Sequence, residues 1–174
     1  MKIKSLTKET LEQAMVLKVA AWQEELNGRF EHHLDYDEEL AFWSEWMQSA
    51  HEHNDVRVLL GAFEDEELLG CVFLSIAEES DTEKGVEING LWVHKDHRRK
   101  GVASRLLHEG LSQYQTLSME KVVVYCHKYA EATKVYKALG GSVVKMVSQL
   151  DGKLIVEVYL FDFKALLKQL STSQ

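Results

Sequence analysis

The run RRKGVA, Arg98 to Ala103, has the residue types and spacing that most directly suggest chemistry in this chain. It lies between the short apolar segment EINGLWV and the run SRLLHEG. Ile88, Leu91, Trp92 and Val93 give the first segment the partly alternating pattern of a strand. Val102, Leu106, Leu107, Leu111 and Tyr114 recur at three- and four-residue spacing, which predicts an amphipathic helix. A strand that feeds a helix through small residues leaves the first helical N–H groups unpartnered, with the positive end of the helix dipole behind them. That arrangement is an anion cradle. Gly101 and Ala103 let an anion approach the backbone between Arg99 and Ser104, and Arg98, Arg99 and Lys100 surround it with positive charge. Phosphate or pyrophosphate suits such a turn. The spacing lacks both the Gly-Lys-Ser/Thr ending of the Walker loop and the three glycines of the dinucleotide fingerprint.

Other titratable groups read as structural. His94 and His97 flank the cradle as surface or phosphate-adjacent residues. His32, His33, Asp35 and Asp37, and His51 with His53, do not form a metal site on this reading, because neighbouring histidines on a short loop do not readily face one ion and no Cys or Glu-x-x-His spacing supports them. No metal is expected. Cys71 and Cys126 each sit in an apolar strand-like run, as buried reduced thiols do.

The elements that must position the cradle follow from the rest of the chain. At 174 residues the chain has the length of one domain, 1–174, with one core. No run reaches the roughly 20 apolar residues of a membrane span, and the N-terminus has no secretory signal, so a cytoplasmic protein without a membrane partner is expected. A net charge of -8 with a single short basic cluster argues against nucleic acid.

Residues 2 to 6 are predicted as an edge strand, followed by a helix from Thr7 through Leu11, Met15, Val19 and Trp22 to Asn27-Gly28. After the acidic segment 31–39 comes a second helix with Leu40, Trp43, Met47 and Ala50 on one face and Phe42 and Trp46 beside them. Residues 56–63 and 68–77 form a hairpin around Glu64-Asp65-Glu66-Glu67 and precede the strand of Glu87. The uninterrupted apolar run 121–126 belongs mid-sheet. A helix from Tyr129 to Leu139 stops at Gly140-Gly141; two strands around a two-residue Asp151-Gly152 turn and a short helix over 162–170 close the chain.

This layout and the motif Arg98-x-x-Gly101-x-Ala103 resemble the GNAT superfamily of N-acetyltransferases, whose acetyl-CoA site carries Q/R-x-x-G-x-G/A at such a junction. The resemblance covers nearly the whole chain. It implies an α/β (α+β) fold with a central mixed, mostly antiparallel sheet flanked by helices on both faces. The family pattern N-x-x-A-x-x-x-Y-x-x-x-G-F finds Ala132, Tyr136 and Gly140, with Tyr129 in place of Asn and Gly141 in place of Phe. The Asn contacts the pantetheine arm, so one polar contact to the cofactor is missing, whereas the Phe position mainly packs.

The resemblance further implies an acetyl-CoA-dependent N-acetyltransferase. The pyrophosphate would meet the N–H groups from Arg99 to Ser104, including Val102, through charge-assisted bonds of roughly 1.5–3 kcal/mol each. Pantetheine would add as a pseudo-strand beside Leu91, Trp92 and Val93, where a bulge turns one N–H toward the thioester oxygen. Tyr136 matches the family's general acid for the departing thiolate. An acceptor ammonium of pKa about 10.4 must lose its proton, at about 4.6 kcal/mol at pH 7, and a nearby carboxylate lowers that cost. Glu87 is the candidate base, on the expectation that alternation puts residues 87, 89, 91 and 93 on one face. The acceptor is an amine, small-molecule or protein; a polyamine, an aminoglycoside and an amino acid all fit. The acidic residues of 31–39, in a loop that often lines the family's acceptor pocket, favour a cationic small molecule. Two other readings are an acyl-CoA-binding sensor without turnover and an interaction protein whose Trp43 and Trp46 form a homodimer face.

Overall fold

In a computed structural model that describes residues 1–173, a seven-stranded sheet forms the centre of the protein. Its strands are β1 Lys2–Ser5, β2 Val58–Glu64, β3 Glu67–Ile76, β4 Gly85–Val93, β5 Lys121–His127, β6 Ser142–Gln149 and β7 Leu154–Asp162. They are ordered β1-β2-β3-β4-β5-β7-β6. The β4–β5 pair is parallel and the other adjacent pairs are antiparallel. The mixed, mostly antiparallel sheet expected from the sequence is therefore present.

Five α-helices cover it: α1 Lys8–Leu26, α2 Tyr36–Gln48, α3 Val102–Ser112, α4 Ala132–Ala138 and α5 Phe163–Thr172. One face buries Val72, Leu74, Ile88, Leu91 and Val124 against Leu106, Leu107 and Leu111 of α3, Tyr136 of α4 and Leu166 and Leu170 of α5. The other face buries Leu59, Phe63, Cys71 and Phe73 against Leu11, Met15 and Trp43 of α1 and α2. Helix α1 begins at a reciprocal cap, in which Thr7 Oγ1 accepts from Thr10 N at 3.2 Å and Thr10 Oγ1 accepts from Thr7 N at 2.7 Å. Its end at Leu26, before Asn27 and a Gly28 at φ 77°, matches the sequence expectation.

Two expectations are corrected and one alternative is disfavoured. The Asp151-Gly152 connection is a four-residue turn, because Gln149 pairs with Leu154 and both Leu150 and Asp151 take positive φ. Helix α4 starts at Ala132 rather than at Tyr129, which lies in the preceding turn. Trp43 of α2 is buried, with its ring 5.0 Å from Phe73 and 5.1 Å from Trp46, so both tryptophans belong to the packing of α2 on the sheet rather than to a free face. Among the described residues, no helix is long and apolar enough to cross a membrane, and no group of three His, Cys, Asp or Glu could hold a metal ion.

Candidate active site

Strands β4 and β5 pair only from Gly85↔Lys121 to Ile88↔Val124, although β4 continues to Val93 and β5 to His127. The parting coincides with a bulge. Phe73 pairs with Gly90 while Leu74 pairs with Ile88, which leaves Asn89 as an extra residue on β4. A bulge bends its strand and sharpens the twist, so β4 leaves its parallel neighbour at this point. A groove of about 430 Å³ opens there, within the range of small-molecule sites. Leu91, Trp92 and Val93 line it from β4, Ala132, Val135 and Leu139 from α4 and its end, and Ala21 and Glu25 from α1.

The groove reaches the turn before α3, where His97, Arg98, Arg99 and Gly101 to Ser104 line it. Gly101 is the N-cap of α3, at φ 80°, and no side chain caps the N–H groups of Val102, Ala103 and Ser104. A Cβ at Gly101 would meet nothing within 4 Å, so the left-handed φ is what calls for glycine there. Arg99 also takes a positive φ, 61°, and alternate positive φ values curl successive N–H groups into one concavity. The turn thus presents uncapped N–H groups at the start of α3.

The surrounding charges are arranged differently from the sequence expectation. Arg98 forms a bidentate pair with Glu24 of α1, at 2.8 and 3.2 Å, while its Nε donates to Val93 O at 3.1 Å. Its guanidinium therefore ties α1 to the end of β4, and Glu24 is held below the usual carboxylate range by the same bond. Lys100 is exposed, its Nζ donating to Asp96 O at 3.0 Å, and it does not line the groove. Arg99 is exposed at the groove mouth, and Lys134 of α4, paired with Glu131, is a second exposed cation in the lining.

Glu87 lies on the opposite sheet face from Leu91. The bulge resets the alternation, so Val86, Ile88, Leu91 and Val93 share the α3 face, whereas Glu87 stands opposite Ser75 and Trp92 packs with the α1–α2 side. The expected grouping of 87, 89, 91 and 93 on one face fails for that reason. Glu87 is partly buried, and its carboxyl is pushed up to about 7, first by burial and then by the negative charges of Asp81, Glu78 and Asp55. Asn89 faces it. Because the Ser75 backbone N–H is a donor, the Asn89 oxygen faces it at 3.2 Å and accepts from Ser75 Oγ at 2.8 Å, and the amide nitrogen donates to Glu87 Oε2 at 2.5 Å. Asp81 accepts a hydrogen bond from the Tyr125 hydroxyl, and Asp55 is paired with Arg57 at 2.9 Å.

Tyr136 is 1% exposed in the core, with its ring 5.6 Å from Tyr159 and 6.4 Å from Phe161. Burial holds its phenol well above the ordinary value, so it is a protonated side chain. It does not line the groove, although Ala132, one turn earlier on α4, does. Tyr129 also lies outside the lining; Arg29 stacks on its ring at 3.8 Å. Gly141, where the family pattern has Phe, has its Cβ position filled by Phe161, whose Cζ would stand 2.6 Å away.

The sequence reading did not single out Asn89, Glu25 or His127. Asn89 carried a usable signal, a polar residue inside an otherwise apolar strand centre. Glu25 and His127 carried none, because they meet only in the fold, at 3.2 Å between carboxylate and imidazole. Cys126 beside them is pushed up to about 12 by burial, and Cys71 is pushed higher still, so neither supplies a thiolate nucleophile at neutral pH.

A splayed parallel strand pair leading to an uncapped helix N-terminus sits within an architecture shared by known proteins. The chain superposes on an N-acetyltransferase from Staphylococcus aureus Mu50 with TM-score 0.66 and 18% identity, over 93% of this chain and 98% of that one. A ribosomal-protein-alanine N-acetyltransferase from Brucella melitensis gives 0.69 and 14%, over 93% and 99%. A PaiA N-acetyltransferase from Thermoplasma acidophilum, in complex with coenzyme A, gives 0.63 and 19%, over 92% and 98%. At such identities the likeness establishes the fold. No curated protein sequence matches the chain at a significant level. The sequence family described as Acetyltransferase (GNAT) family matches residues 17–140, which includes the cradle, the bulged strand and α4. The chain belongs to the GNAT acetyltransferase family.

Proposed function

We propose that the protein transfers an acetyl group from acetyl-CoA to an amine by direct attack, without an acyl-enzyme. The observation that carries this reading is the groove between β4 and β5, which runs from an uncapped helix N-terminus along β4 beyond its bulge; Glu87, two residues before the bulged Asn89 and with its carboxyl raised to about 7, lies outside the groove lining. The residues present fit acetyl-CoA: anion-binding N–H groups at Val102 to Ser104, an unpaired strand edge over Leu91 to Val93, and apolar side chains facing it from α4. When bound, it would supply the activated acetyl group.

The chain's own residues then have distinct tasks. Glu87, ionised above about pH 7, takes the ammonium proton of the acceptor, directly or through a water, and Asn89 holds the carboxylate in place. A backbone N–H of the bulged strand donates to the carbonyl oxygen as negative charge develops there. The acceptor nitrogen would bond to the acetyl carbon as the C–S bond breaks; Tyr136 is the candidate proton donor to the departing sulfur and would recover a proton from that nitrogen as the amide forms. Glu87 lies among Asp81, Glu78 and Asp55, with Arg57 paired to Asp55 and Lys145 to Asp81, and the excess of carboxyls there favours a cationic amine.

Calorimetric titration with acetyl-CoA, followed by a thiol-release screen over amines, tests the reading. Saturable binding in the micromolar range with amine-dependent thiol release is the expected result, and no binding at millimolar acetyl-CoA would overturn it. One observation favours a second reading, an acyl-CoA-binding module without turnover: Tyr136 is buried outside the groove lining. Binding without thiol release to any amine would select that reading.

A further inference from the structure

The family pattern's asparagine is missing at Tyr129, and the groove wall shows another polar group at the same end of α4. Glu25, from the last turns of α1, is 7% exposed in its side chain and lines the groove beside Ala132 and Glu131. Its Oε2 accepts from the Glu131 backbone N–H at 2.7 Å. Its Oε1 lies 3.2 Å from His127 Nε2. The Tyr129 N–H donates to His127 Nδ1 at 3.3 Å, so the ring proton sits on Nε2 and is donated to Glu25. Trp22 packs edge-on against His127, with ring centroids 5.3 Å apart, and the His127 side chain is 9% exposed. The carboxylate is therefore held in one orientation by two donors, one from β5 and one from the residue before α4.

We infer that Glu25 is the polar contact for the pantetheine arm in this protein, taking over the task left vacant by Tyr129. The inference rests on the acetyl-CoA reading above. A carboxylate has about four acceptor sites, and two are used within the protein, so each oxygen of Glu25 can accept a further donor. Pantetheine offers amide N–H and hydroxyl donors and no negative charge, so it suits a carboxylate. The diphosphate does not, and Glu25 thereby sets the register: phosphates stay at the Arg99–Ser104 turn and the uncharged arm passes Glu25. Tyr129 is turned out of the groove under Arg29 and cannot serve.

The test compares CoA with adenosine 3′,5′-bisphosphate, which keeps the 3′-phosphate and one 5′-phosphate but lacks the second 5′-phosphate and the arm, by calorimetric titration of wild type, Glu25→Gln and Glu25→Ala. The Gln variant keeps the shape of the side chain and decides the matter if the Ala variant fails to fold. The expected result is CoA binding weakened about tenfold, as for one charge-assisted hydrogen bond, with bisphosphate binding unchanged. Equal weakening of both ligands would make Glu25 a mere support of the groove wall, and no weakening of either would also overturn the inference. A wild type that binds neither ligand would overturn the acetyl-CoA reading as well, whereas a wild type that binds CoA only as tightly as the Gln variant does overturns this inference alone.

Discussion

Replacing Glu87 by Gln tests the role of the one carboxyl whose environment most opposes its ionisation. Folding raises it from an ordinary 4.5 to about 7, through burial and then Asp81, Glu78 and Asp55. Its folded value lies above its unfolded one, so the folded state binds the proton more tightly, and the protein loses stability as pH rises from 4.5 through 7. The difference between those values, at about 1.36 kcal/mol for each pH unit, makes the full loss about 3 kcal/mol above pH 7. By pH 5 roughly 1 kcal/mol of that loss has already occurred. The amide introduced by Glu87→Gln cannot ionise, and its carbonyl can still accept from Asn89, so the variant should gain stability over wild type as pH rises. The gain should grow by roughly 2.5 kcal/mol between pH 5 and pH 8.5 in urea unfolding followed by tryptophan fluorescence. In the proposed reaction, wild-type kcat/KM should climb with pH to a plateau above about 7, while the variant loses that limb and most of its rate. A stability difference that does not change with pH would show that Glu87 titrates as an ordinary carboxyl, and unchanged kcat/KM in the variant would remove it from the mechanism.

Tyr136→Phe keeps the ring that packs on Tyr159 and Phe161, so its Tm should fall by no more than about 4 °C while kcat drops at least about tenfold with little change in KM; a change in KM alone would reduce Tyr136 to packing. Gly101→Ala places a Cβ in open space but at φ 80°, and should cost about 1–2 kcal/mol of stability and weaken acetyl-CoA binding by more than that strain alone accounts for. Thermal melting and calorimetry on the same sample check this, and unaltered affinity would confine the glycine's role to the turn. Gly141→Phe forces a side chain against Phe161 Cζ at 2.6 Å and should lower Tm by about 3–10 °C, partly recovered by adding Phe161→Ala; an unchanged Tm would show that Phe161 does not fill that space. Glu24→Ala breaks a half-exposed ion pair, so it should cost about 1 kcal/mol or less and lose its effect in high salt.

Local signals carried much of this protein. The strand–turn–helix around Gly101 is legible because side-chain period and a glycine whose φ must be positive are both properties of a short window. The buried stripe of Val102, Leu106, Leu107 and Leu111 follows from helical periodicity for the same reason. The mid-sheet placement of β5 and the burial of Trp43 agree with apolar patterning, although patterning alone left a dimer face open. Turn length was less legible: Asp151-Gly152 is a turn pair in isolation, but pairing of Gln149 with Leu154 widens the connection.

What only the tertiary structure decided are the quantities that depend on several distant segments at once. The bulge at Asn89 exists through its pairing with β3, and it reverses the face of every residue after it, which separates Glu87 from Leu91. Arg98 lines the groove, but its ion pair with Glu24 exists only because α1 is brought to it across the fold. Glu25 and His127, 102 positions apart in the chain, meet because α1 crosses the end of β5, and no spacing rule reaches that far. The sequence by itself determined which local elements form and which turn leaves a helix N-terminus uncapped. The fold determined which carboxylates face the groove, because burial and Coulomb interactions act through space rather than along the chain.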